Sequence, residues 1–75
     1  MNNLQTQLAA ALKEVLEARE AHRLADFAKR AAPRRSKADK AEYDRLWDIA
    51  RDASERDYAA EEAAVALLSS ISRNH

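Results

Sequence analysis

The chain has 75 residues, thirteen of them basic and thirteen acidic, for a formal net charge of zero. That length allows one small domain with little interior, and the absence of cysteine removes disulfides as a staple and fits a reducing compartment. Charge neutrality counts against a dedicated nucleic-acid binder, which ordinarily carries a basic excess, and no run of about 18 apolar residues is present to cross a membrane.

Glycine is absent, Pro33 is the only proline, and alanine occurs eighteen times. Alanine is the best helix former, and Leu, Glu, Lys and Arg fill most of the remainder. A sheet with tight turns needs the opposite composition, so the chain is expected to be all-α. The start, Met1-Asn2-Asn3-Leu4-Gln5, has neither the basic residues nor the apolar stretch of a signal peptide, and a cytoplasmic location is expected.

A single unit over residues 1–75 is expected, beginning with a helix from about Asn3 to Ala31 capped by Asn2 or Asn3. Its first half carries an apolar face at Leu4, Leu8, Ala11, Leu12, Val15 and Leu16, in steps of three and four. The face weakens between Arg19 and Arg23, and Phe27 returns to the phase of Leu16 while Leu24 does not fit. The break is Ala31-Ala32-Pro33-Arg34-Arg35-Ser36, where proline disfavours helix in the residue before it. Ser36-Lys37-Ala38-Asp39 then has the form of a capping box, with Asp in place of the commoner Glu or Gln. A turn over 32–36 between two long helices predicts antiparallel neighbours.

The second helix is expected from about Lys37 to Ser72 and carries the clearest pattern. Tyr43, Leu46, Ala50, Ala53, Asp57, Ala60, Ala64, Leu67 and Ile71 alternate steps of three and four, which is a heptad seam. Its alanines imply close approach of a second helix. Beside it runs another apolar line, Trp47, Tyr58, Val65 and Leu68, and the combined face is wider than one helix can cover. A homodimer would cover it and form a four-helix bundle; a different protein partner would do so equally. The rival topology is one long kinked helix in a coiled coil, since the heptad phase traced back through Pro33 meets Ala18, Val15, Ala11, Leu8 and Leu4. The proline penalty of about 3 kcal/mol favours the hairpin.

Four groups of residues are candidates for function. Trp47 and Tyr58 lie eleven positions apart, nearly three helical turns, and so share a face, either as dimer core or as partner-binding anchors. Asp44, Asp48, Asp52 and Glu55 line an acidic outer flank, partly balanced by Arg51 and Arg56, which could dock on a basic partner. Lys29, Arg30, Arg34, Arg35, Lys37 and Lys40 crowd the turn; Arg30, Arg34, Arg35 and Lys37 are the candidates for nucleic-acid contact, set against a plain solvated loop at a helix end. Asp57 interrupts the seam, where a carboxylate needs a partner. Equal counting from the turn puts it near Ala11, so His22 or Arg19 would reach it only across a dimer.

His22 and His75 are the only histidines, and Arg19 stands where a helical metal site would place its glutamate ahead of His22. No nucleophile and base can be assembled, so no enzyme, metal or cofactor is expected. In architecture alone the chain resembles three kinds of small helical hairpin: dimeric plasmid-copy-control RNA-binding bundles, co-chaperones of type III secretion, and short phage or prophage proteins that disable host regulators or defence complexes. Such similarity carries no residues across. The leading expectation is a non-enzymatic dimeric module that inhibits, regulates or escorts a protein partner. The alternatives are nucleic-acid binding through the turn and a structural subunit of a helical assembly.

Overall fold

A computed structural model describes residues 3–73. It holds two helices, α1 (Asn3–Ala31) and α2 (Lys37–Arg73), folded back on each other as a hairpin, with no strand among the described residues. The result is a rod of 58 × 16 × 13 Å. Two helices packed against each other replace the single kinked helix as the arrangement of this chain.

Local chemistry accounts for the breaks. α1 ends where Ala32 N donates to Lys29 O at 3.4 Å, just before Pro33, with Lys29 and Arg30 complementing the negative end of the helix. α2 starts at a cap in which Ser36 Oγ accepts from Asp39 N at 3.1 Å, and Lys40 N donates to Ser36 O at 2.9 Å. The Asp39 carboxylate accepts from Arg35 N at 3.2 Å, one residue earlier than a standard box would place it. At the other end, Asn3 opens α1 and Asn2 lies outside the described residues.

The interface is a pair of heptad seams. On α2, Tyr43, Leu46, Ala50, Ala53, Asp57, Ala60, Ala64, Leu67 and Ile71 are all buried or half-buried. On α1 the same holds for Leu4, Leu8, Ala11, Val15, Ala18, His22, Ala25 and Lys29, and for Ala32 just past its end, again in alternating steps of three and four. The core where they meet is thin. Val15, Ala18, Ala60 and Ala64 form its centre; among the described residues Ala50 is the one other buried residue, and no large side chain is wholly enclosed.

The register departs from equal counting. Asp57 lies opposite His22, eleven residues from the expected Ala11, and eleven helical residues span about 16 Å. The connection supplies that length. Residues 32–36 are not helical, and chain outside a helix can advance farther per residue than the helical rise of about 1.5 Å. Arg34 therefore lies against Tyr43 and Lys29 against Trp47, and the first turns of α2 project beyond the end of α1.

Candidate functional site

An antiparallel pair of seams leaves two edges, each clasped by an arginine. On one, Arg19 Nε and Nη2 donate to Glu61 Oε1 at 3.1 and 3.0 Å. On the other, Arg56 makes a two-pronged contact with Glu14, both bonds at 2.7 Å, and lies 3.9 Å from Glu17. Both clasps are exposed and screened by water, so each adds little to stability and chiefly orients the helices.

The Arg19–Glu61 edge carries the candidate site. Leu12, Leu16, Tyr58, Val65 and Leu68 stand there between 46% and 68% exposed. Leu12, Val15, Leu16, Arg19, Glu61, Ala64 and Val65 line an open cavity of about 460 Å³. A second, about 380 Å³, is lined by Tyr58, Glu61, Glu62, Val65 and Ala66. Glu61 and Val65 belong to both, so the two form one apolar strip crossed by one ion pair. Leu12 and Leu16, counted from sequence with the inward face of α1, lie on this edge because the alanine seam of α2 brings the backbones too close for leucine at the centre. Leu24 and Phe27 are also exposed, off the seam of α1.

Trp47 and Tyr58 do not come together. Trp47, 48% exposed, sits under Lys29 Nζ at 4.0 Å from its ring centroid and meets Tyr43 edge-on at 6.3 Å. It belongs to a mixed cavity of about 290 Å³ with His22, Asp26, Lys29 and Arg51. Tyr58 belongs to the apolar strip. The acidic flank is largely paired within its own helix. Asp44 meets Lys40 at 3.0 Å, and Arg51 lies 3.4 Å from Asp48 and 3.7 Å from Asp52. Glu55 makes no ion pair among the described residues.

Inside the seam, Asp57 Oδ2 and His22 Nδ1 are 3.0 Å apart, and Asp57 Oδ1 is buried with no hydrogen-bond partner among the described residues. The pair forms within one chain, so Asp57 has its partner without a second copy. At the turn, Lys29 and Arg30 both converge on Asp26, at 3.2 and 3.0 Å. The hydrogen bond from Lys29, aided by the charges of Arg30, Lys29 and His22, holds the Asp26 carboxyl below its ordinary range. Arg30, a candidate nucleic-acid contact, is thus paired with a carboxylate, whereas Arg34, Arg35 and Lys37 make no ion pair among the described residues. The described residues hold no group of three or more His, Cys, Asp or Glu arranged to bind a metal ion, and His75 lies outside them. No helix among them is long and apolar enough to cross a membrane.

The Arg56 clasp predicts an acid response. Its hydrogen bond, with its charge, lowers the Glu14 pKa from an ordinary 4.5, against slight desolvation. A carboxylate depressed in the folded state stabilises it above the unfolded pKa, and that contribution is lost as pH falls through the folded value. The melting temperature of R56Q is therefore expected to fall less than the parent's between pH 5 and the acid side of 4.5. Parallel pH profiles would show that the clasp contributes nothing.

No family model, no curated protein and no solved structure matches this chain.

Proposed function

We propose that this chain is a non-enzymatic helical protein-binding module that pairs with a second copy through the Leu12–Leu16–Tyr58–Val65–Leu68 strip, forming a four-helix bundle that inhibits, regulates or escorts a partner protein. The observation that carries it is an imbalance. Among the described residues, four of the five buried ones are alanines, while five large apolar side chains on one edge stay open to water. Each large apolar side chain moved from water into a core contributes about 1.5–3 kcal/mol. The strip therefore holds burial that the hairpin by itself leaves unrealised. A two-fold partner is the economical cover, because one surface then serves both copies. Pairing there leaves the outer flank of α2, with Asp44, Asp48, Asp52 and Glu55, and the half-exposed Trp47 for a different protein.

The test is sedimentation equilibrium with thermal melting across a hundredfold range of concentration. A mass of twice 8.4 kDa is expected, with a melting temperature that rises with concentration. L16E and V65E are expected to shift the species to monomer and lower the melt. A single chain melting cooperatively at a concentration-independent temperature would overturn the pairing.

A further inference from the structure

We propose that the connection between the helices is a second, independent binding site, which takes successive phosphates of a single-stranded polynucleotide. The ion pairs of the fold single it out. Nine of the thirteen basic side chains meet a carboxylate among the described residues. Of the other four, Arg73 stands at the far end of the rod, and Arg34, Arg35 and Lys37 fall within four consecutive positions. A chain of zero net charge thus concentrates its uncompensated positive charge in one place.

The place is shaped to receive a ligand. Arg34, Arg35, Ser36, Lys37, Lys40 and Tyr43, with Asp44, line an open cavity of about 500 Å³. Arg34 is held in position, its guanidinium 4.7 Å from the Tyr43 ring centroid and its Nη1 donating to Tyr43 Oη at 3.5 Å. A fixed guanidinium has already lost much of the freedom that phosphate binding would otherwise take from it. The positive end of the long α2 dipole points the same way. Two carboxylates oppose the cluster, and both are engaged: Asp39 accepts from Arg35 N, and Asp44 pairs with Lys40.

The number of free cations favours a polynucleotide over a single phosphate. Arg34, Arg35 and Lys37 fall within four positions and make no ion pair among the described residues. Three such cations can meet about three phosphates of one strand, each contact adding to affinity, whereas one phosphoserine or one free phosphate would engage a single arginine pair.

The experiment is fluorescence anisotropy of a labelled 20-nucleotide single-stranded RNA with the full chain. Three contacts at about 0.7 each give a slope near −2 for log affinity against log salt, so affinity is expected to drop about a hundredfold between 20 and 200 mM salt. The triple variant R34Q/R35Q/K37Q is expected to lose that binding while retaining helicity and sedimentation behaviour. R73Q, remote from the turn, is expected to bind as the parent does. A flat salt response, unchanged binding by the triple variant, or equal competition by inorganic phosphate or a phosphoserine peptide at matched ionic strength would overturn the proposal.

Discussion

Replacing Ala18 by leucine is expected to cost the hairpin most of its cooperative melting transition, although both residues favour helix. Ala18 has no exposed surface, and it packs in the cluster of Val15, Ala60 and Ala64. Helices meeting across alanines approach at the near end of the usual 8–10 Å range. A leucine there adds three carbon atoms where none fit, so the helices must separate or shear. Overpacking of this kind costs about 1–3 kcal/mol, and separating the helices also exposes the alanine contacts on either side. Circular dichroism melts of A18L and of A9L, at an exposed site on the same helix, make the comparison. A9L is expected to track the parent closely. An A18L melt equal to or above the parent's would show that the seam is looser than the structure describes.

The second large effect is expected at His22→Ala. Asp57 is only 16% exposed on its side chain, and one of its oxygens already lacks a partner. Removing the imidazole leaves the other unpaired as well, in a seam otherwise lined by alanine, at about 1–3 kcal/mol or more for an ionised group. The carboxylate itself is a burden there, so D57A is expected to be neutral or stabilising, its half-exposed histidine remaining free to meet water. The decisive measurement is the double-mutant cycle. H22A/D57A is expected to recover most of the stability lost in H22A. If the two single effects simply add, the pair is not coupled and the hairpin register inferred from it is wrong.

Helix ends were legible in the sequence because their causes are local. Pro33 stops one helix and Ser36 starts the next within four residues. The α2 seam was legible because nine positions keep one phase without interruption. Register was not, since it depends on the length of the connection in ångströms rather than in residues, and only the structure reveals how far 32–36 carries the chain. For the same reason the His22–Asp57 contact was anticipated only between two chains, although both residues had been singled out. Leu12 and Leu16 were drawn to the inner face by their hydrophobicity. On α1, alanines at 11, 18 and 25 mark that face, a signal of size rather than of apolar character. The basic turn was visible as a cluster, but which of its members keep a free charge depended on Asp26 and Asp44.

The register that places Asp57 opposite His22 also brings Asn3 level with the last turn of α2. Tension applied between residues 3 and 73 would therefore peel the two helices apart from their free ends, one layer of the seam at a time, beginning at Leu4, Leu8, Leu67 and Ile71. Load applied lengthwise, from the connection to the opposite end of one helix, would run through the backbone hydrogen bonds of that helix and leave the seam unloaded. The seam is thus the weak element in one direction of pull and a bystander in the other.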